Sequence, residues 1–194
     1  MILLMFAAIG ISLGLYRGGS FRNIADGTVR FLPLPIFALL LEVWLPFLLT
    51  TLNLSGFWVK PLPLVAEYGM LLFFSAANIR SFWSGWFGVG TLFNFAVMAL
   101  NGWAMPVSQG IVSGAAGSGI VQRLAAGEIS GYVLADAGTR LLFLGDVIGI
   151  HLGANLLGFA SIGDYLLGIG VAGLAFRLVC PRYSGKRLER GPAF

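Results

Sequence analysis

The chain has 194 residues, of which 58% are hydrophobic and only 10% are charged, and its mean hydropathy is +0.89. Soluble domains carry roughly 25% charged residues, so this composition excludes an ordinary soluble protein and predicts a polytopic membrane protein. The net charge of +4 does not indicate nucleic-acid binding, because the basic residues follow the loops between apolar segments. The one cysteine, Cys180, excludes an internal disulfide and a cysteine-cluster metal site.

Five apolar segments are candidates for crossing a bilayer. They lie near residues 2–16, 31–52, 62–79, 85–100 and 164–180. The first is short but can cross if the bilayer thins or its flanking residues snorkel. It has no basic residue before it and no small-residue cleavage site after it, so we do not expect a cleaved signal peptide. We therefore predict an all-α bundle of about five spans, forming a single transmembrane domain.

The segment between the fourth and fifth spans, residues 101–163, is less regular. An Asn-Gly pair and Pro106 end the fourth span. Residues 109–128 carry apolar side chains among many glycines, which predicts a weak amphipathic helix or loop on the membrane surface. Residues 141–160 are apolar but interrupted by polar side chains. We expect the whole segment to be interfacial or re-entrant at the outer face rather than to cross the membrane.

The distribution of basic residues predicts the orientation of the bundle. With the first loop in the cytoplasm, most of the basic residues are cytoplasmic, namely Arg17, Arg22, Arg30, Arg80, Arg177, Arg182, Lys186, Arg187 and Arg190. Only Lys60, Arg123 and Arg140 then lie outside. Five spans with the N-terminus outside and the C-terminus inside satisfy the positive-inside rule, whereas a sixth span would move the basic C-terminal tail outside.

Two aspartates near the predicted outer face, Asp146 and Asp164, each follow a glycine. Two carboxylates at one site can share a proton, so that one activates a water as a base while the other acts as an acid. Alternatively, each aspartate caps the start of a helix, for which Asp164 after Ser161 is well placed, or forms an ion pair with Arg140.

The last third of the chain resembles signal peptidase II, a family of small polytopic aspartyl proteases that cleave lipoproteins. The similar residues are Leu144-Gly-Asp146-Val-Ile and Ser161-Ile-Gly-Asp164-Tyr, whose aspartates are 18 residues apart. The resemblance implies an outer-leaflet hydrolase with Asp146 and Asp164 as its catalytic pair. The chain lacks that family's Gly-Gly-x-x-Gly-Asn-x-x-Asp-Arg motif, and Gly163 precedes the second aspartate.

A second resemblance covers most of the chain. It is carried by Arg17-Gly-Gly-Ser-Phe-Arg-Asn23, Asn101-Gly-Trp-Ala-Met-Pro-Val-Ser108, Thr139-Arg-Leu-Leu-Phe-Leu-Gly-Asp146-Val-Ile and Ser161-Ile-Gly-Asp164. These segments are similar to those of a family of small bacterial membrane proteins known only as a domain of unknown function. The resemblance implies a bacterial inner-membrane protein, and it implies no particular activity.

Three other ionisable residues are candidates for function. Glu42 and Glu67 fall within predicted spans, where acids are functional by default. If both face the interior of the bundle they form a proton or cation path; otherwise they pair with Arg30 or Lys60. His151, the only histidine, is a candidate axial ligand to a pigment or haem, or an interfacial residue bonded to Asp146 or Asn155. The sequence requires no cofactor.

The sequence leaves three hypotheses of function. The first is an accessory or structural subunit that packs against other membrane proteins in a larger complex, because no P-loop, dinucleotide motif or complete catalytic set is visible. The second is an outer-leaflet hydrolase that uses Asp146 and Asp164, with Asn101 and Arg140 lining the same site. The third is a small transporter or proton path that uses Glu42 and Glu67.

Overall fold

The computed structural model describes residues 2–26, 29–114, 119–129, 131–152 and 155–181. Its five longer helices are α1 (Ile2–Tyr16), α2 (Pro33–Thr51), α3 (Pro61–Ala77), α4 (Phe82–Leu100) and α7 (Ile162–Val179). Between α4 and α7 lie strands and two short helices: β1 (Met105–Val107), α5 (Gln109–Gly114), α6 (Gly119–Ala125), β2 (Tyr132–Leu134), β3 (Asp146–Leu152) and β4 (Asn155–Ser161). Two 3-10 turns cover Phe21–Asp26 and Leu142–Leu144.

Each predicted span coincides with a helix. In the described parts of the chain, α2, α4 and α7 are long and apolar enough to cross a membrane, while α1 and α3 are apolar but shorter. The prolines agree with these boundaries, because Pro33 and Pro61 stand in the first turns of α2 and α3, where a missing amide proton costs no hydrogen bond. The chain is therefore a predominantly helical protein with several apolar helices.

The all-α prediction is wrong for the segment between α4 and α7. This segment contains a four-stranded mixed sheet with the order β2-β1-β3-β4. Strand β1 pairs in parallel with β2 and β3, and β3 and β4 form an antiparallel hairpin. Residues 141–160, which we expected to be re-entrant or interfacial, lie largely in this hairpin. Short apolar runs interrupted by glycine fit a strand as well as a helix, so periodicity alone does not separate the two.

Helix α7 packs against both α1 and α4. Glycines allow the backbones to approach closely: Gly10 of α1 lies against Ala172, and Gly14 lies against Phe176 and Val179. From Gly10 to Gly14 the contact on α7 moves forward from Ala172 to Phe176. The two helices therefore run in the same direction. On the other side of α7, a Cβ placed on Gly90 of α4 would lie 2.9 Å from the Cα atom of Leu167.

The bundle has two chemically different ends. At one end, which we name the basic end, the loop after α1 reaches the last residues of α7, where the Asn23 amide donates to the Val179 carbonyl at 2.7 Å. The backbone amide of Arg30 donates to the Asn78 side chain at 2.8 Å, which places the start of α2 beside the end of α3. The opposite end, the sheet end, holds the last turn of α4, the sheet and the first turn of α7.

Candidate functional site

A cavity of about 520 Å³ lies among α1, α2, α3, α4 and α7 and reaches the sheet. This volume is typical of a small-molecule site. Its polar lining residues are Glu42, Glu67, Tyr68, Asn94, Tyr132, Asp146 and Asp164, and the rest of its lining is apolar. Among the residues that the structure describes, no lysine, arginine or histidine lines it. We name it the acidic cavity, because it collects all four acids that the sequence had suggested as functional.

The carboxylates come from four different elements of the fold. Asp146 begins β3, Asp164 lies in the first turn of α7, Glu67 lies in α3 and Glu42 lies near the middle of α2. Tyr68, the residue after Glu67, contacts Phe95 and Met98 of α4, close to the residue Asn94 that bonds to Asp164. Glu67 is buried, whereas Glu42 is exposed. The acids thus line one cavity from separate elements.

Asp164 has a structural role, and the prediction that it caps a helix is confirmed. Its Oδ2 accepts from the Ser161 amide at 2.9 Å, and its own amide donates to Ser161 Oγ at 2.9 Å, which forms a reciprocal capping box at the start of α7. Its Oδ1 accepts from Asn94 Nδ2 at 2.7 Å. Ser161 Oγ in turn donates to Asn94 Oδ1 at 2.9 Å. This buried network joins α4 to α7, and it engages both carboxylate oxygens of Asp164.

Asp146 is in a different environment. It begins β3, opposite Ser161 of β4, and only 2% of its surface is exposed. Its Oδ1 has no hydrogen-bond partner. Burial, and secondarily the negative charge of Asp164, raises the pKa of Asp146 to about 7. The expectation that Asp146 caps a helix is wrong, and no ion pair joins it to Arg140, so this acid lines the cavity and keeps one buried oxygen unpaired.

Two tyrosines and one asparagine complete the polar lining, and we did not single them out from the sequence. The Tyr68 hydroxyl donates to Met98 Sδ at 3.6 Å. Burial, followed by the charge of Asp146, raises the pKa of Tyr132 to about 12, so its hydroxyl remains a donor at neutral pH. Asn94 offered a usable signal, because a polar residue inside a predicted span usually faces a partner. The sequence around Tyr132 gave no such signal, because this residue lies within a polar, loop-like stretch.

The other candidate residues lie apart from the cavity lining. His151 is exposed on β3, and its Nδ1 atom is 3.2 Å from the Gly149 carbonyl oxygen. Ligation of a pigment or haem by His151 stays a prediction. Asn101 and Arg140 lie together: Asn101 Nδ2 donates to the Arg140 carbonyl at 2.8 Å, and the Arg140 amide donates to Asn101 Oδ1 at 2.9 Å. This pair ties the start of the sheet segment to the residues that precede β3.

The arrangement of the acids does not form a chelating site. Within the described ranges, no three His, Cys, Asp or Glu residues are grouped closely enough to hold a metal ion. The carboxylates instead come from α2, α3, β3 and α7, and the polar side chains of Asn94 and Tyr68 line the same cavity. Such an arrangement is suited to exchanging protons or binding an organic cation rather than to coordinating a bare metal ion.

Residues 27–176 match the model of DUF5317, a family of unknown function. The match includes α2, α3, α4, the sheet and the acids of the cavity, and it agrees with the resemblance to an uncharacterised membrane-protein family. No curated protein and no solved structure matches the chain. The comparisons therefore give no support to the resemblance to signal peptidase II. Since the matched region covers most of its residues, the chain belongs to the DUF5317 family, whose function is unknown.

Proposed function

We propose that this protein is a small membrane transporter in which the carboxylates of the acidic cavity take up and release protons. The observation that carries the proposal is the convergence of four carboxylates on one cavity, whose lining by the described residues includes no basic side chain. Ionised carboxylates inside a low-dielectric bundle are costly unless a cation or a proton balances them. Because none of the described lining residues provides a positive charge, the balance falls to protons or to a bound cation.

The placement of the acids supports a role in proton movement. Asp146 has an unpaired carboxylate oxygen, Glu67 is buried in α3, and Glu42 is exposed near the middle of α2. Several acids that line one path through a bundle are typical of proton relays in membrane proteins. Glu67 is the buried one of the two acids within α2 and α3, so we expect the path to depend on it most.

The proposed topology has five crossings. The shorter helices α1 and α3 can cross if their ends snorkel or the bilayer thins, and their packing beside α7 and α4 supports this. The basic end then lies in the cytoplasm of a bacterial inner membrane and the sheet end lies outside. In this orientation the N-terminus is outside and the C-terminus is inside, and the carboxylates are closest to the outer surface.

Proton flux into liposomes tests this proposal. Purified protein is reconstituted around a pH-sensitive dye, and a valinomycin-clamped potassium gradient drives protons inward. We expect a protein-dependent acidification that Glu67→Gln lowers by about tenfold or more, because the amide keeps the shape of the side chain but carries no proton. Glu128→Gln is the matched control, since Glu128 is exposed and paired with Arg123 away from the cavity. Equal rates in empty liposomes and in proteoliposomes would contradict the proposal.

A second candidate function, the accessory subunit, is favoured by the surface of α2. Only Ala38 and Leu49 of this helix are buried, and Phe37, Trp44 and Phe47 expose more than half of their surface. Such a face contacts lipid or a neighbouring protein. Extraction in a mild detergent followed by mass measurement separates these possibilities: a defined particle with other subunits supports the accessory role, and a particle of this chain alone contradicts it.

The aspartate-dyad hydrolase is a weaker proposal. Asp146 and Asp164 line the same end of the cavity, as a dyad requires. However, a dyad shares its water through a free oxygen on each carboxylate, and both oxygens of Asp164 accept hydrogen bonds from Asn94 and Ser161. Only Asp146 keeps a free oxygen, and this favours proton exchange over an acid–base pair.

A further inference from the structure

We infer that the cation bound by the acidic cavity is an amphiphilic amine, which enters from the bilayer between α1 and α2. This inference rests on the proposed transport function and names the class of its substrate. It follows from three features of the cavity: the division of its lining into polar and apolar parts, the unpaired oxygen of Asp146 and the gap in its wall between α1 and α2.

The lining of the acidic cavity is divided into a polar part and an apolar part. The carboxylates, Asn94 and Tyr132 line the part toward the sheet end. The remainder is lined by hydrocarbon side chains, among them Leu39, Leu71, Phe74, Phe87, Leu174 and Leu178. A bare inorganic cation would leave this apolar part unused. A ligand with a charged head and a hydrocarbon body fills both parts.

The charge of the head follows from the polar part. Asp146 is 2% exposed, lines the cavity and has an oxygen without a hydrogen-bond partner. A primary ammonium group offers three donors and supplies the positive charge that the lining lacks. A phosphate or carboxylate head would meet like charges from Asp146, Asp164, Glu42 and Glu67, so ordinary anionic lipids are excluded.

The route of entry follows from the packing of the first two helices. Helix α1 packs on α7, and α2 packs on α3. Among the described residues no extensive contact joins α1 to α2, although Ala7 of α1 and Leu39 of α2 both line the cavity. The wall is therefore open toward lipid at this seam. Glu42 lines the cavity and is exposed, so it is the first carboxylate that an entering amine meets.

Photolabelling tests the inference. The protein in lipid nanodiscs is irradiated with a dodecylamine derivative that carries a diazirine at the end of its chain, and the labelled residues are mapped by mass spectrometry. We expect labels on Leu71, Phe74 or Leu174, inside the apolar part. Unlabelled dodecylamine should compete for this site and dodecanoate should not. Asp146→Asn should lower the labelling about tenfold, as expected for the loss of a charge-assisted hydrogen bond.

A matched pair of variants tests the route. Ala7→Trp places a large ring in the α1 wall of the cavity and should reduce labelling inside it, whereas Ala8→Trp places the same ring on the exposed face of α1 and should not. If Ala7→Trp does not fold, competition by unlabelled dodecylamine on the wild-type protein still tests whether the cavity binds the amine. Labels confined to the lipid-facing surface of α2, with no competition by dodecylamine, would overturn the inference. If protein-dependent proton flux persists in that case, the transport proposal stands and only the substrate class is wrong.

Discussion

Gly90→Ala should destabilise the protein strongly, whereas Gly85→Ala in the same helix should leave its stability unchanged or raise it slightly. A Cβ on Gly90 would meet the backbone of α7 at Gly163 and Leu167. Backbone in a packed helix cannot move aside as the end of a flexible side chain can, so α4 and α7 must separate. Overpacking of this kind costs about 3 kcal/mol, and for a chain of this size that lowers the melting temperature by roughly 6–12 °C.

The comparison with Gly85 isolates this contact. Nothing lies within 4 Å of a Cβ built on Gly85, so the added methyl group meets no obstacle and alanine favours the helix by about 1 kcal/mol over glycine. Gly69 of α3 is equally open and serves as a second control. Thermal unfolding of the detergent-solubilised variants gives the result. Equal melting temperatures for Gly90→Ala and Gly85→Ala would show that α4 and α7 do not approach as closely as described.

The close approach at Gly90 also holds the polar network at the sheet end. Asn94 follows Gly90 by one helical turn and bonds to Asp164 and Ser161 of the facing segment. Separating α4 from α7 would therefore break these buried hydrogen bonds, whose loss adds about 1–3 kcal/mol for each group left unpaired. For this reason Gly90→Ala is expected to cost more than the overpacking alone.

The stability of the protein should fall as the pH rises from about 4 to 7, and Asp146→Asn should remove the part of this dependence that Asp146 contributes. Burial raises the pKa of Asp146 to about 7, compared with about 3.9 for an unfolded aspartate. The folded state therefore prefers the protonated acid. Its stabilising contribution is complete below the unfolded pKa and is lost as the pH rises through the folded pKa. A difference of about three pKa units corresponds to about 4 kcal/mol as an upper bound.

Thermal melts of the wild type and of Asp146→Asn at several pH values between 4 and 8 measure this effect. At pH 8 the variant should melt at a higher temperature than the wild type, because it buries a neutral amide in place of a carboxylate; at pH 4 the two should be similar. Other ionisable groups face the same cavity, namely Asp164, Glu42, Glu67, Tyr68 and Tyr132. The comparison therefore uses the difference between the two proteins, with Glu128→Gln as an exposed control. A pH profile that Asp146→Asn leaves unaltered would contradict the assigned environment of Asp146.

The helices were predictable because hydrophobic length and proline position are local properties of the sequence. Residues near 31–52 and 62–79 each form one apolar run with a proline near its start, and α2 and α3 form there. The sheet was not predictable in the same way. Strands β1 and β2 have three residues each, too few for a period to be recognised, and their parallel pairing depends on residues distant in the sequence.

The candidate site was predicted as separate residues and not as one cavity. Glu42 and Glu67 were expected in the membrane, and Asp146 and Asp164 at the outer face. Their common cavity depends on the pairing of Asp146 with Ser161 across β3 and β4 and on the inward direction of particular turns of α2 and α3. Both are tertiary features, since a shift of one residue in strand register would turn Asp146 to the opposite face of the sheet.

The parallel packing of α1 and α7 has a consequence for the order of assembly. These two helices lie at opposite ends of the chain, yet Gly10 and Gly14 of the first fit against the last. During synthesis α1 enters the membrane long before its partner has been translated. The hairpin of α2 and α3 can form early from neighbouring residues, but closure of the bundle must await α7. Nascent chains that end before α7 should accordingly leave the glycine face of α1 open to other helices, and membrane quality-control proteases would meet the chain in that state.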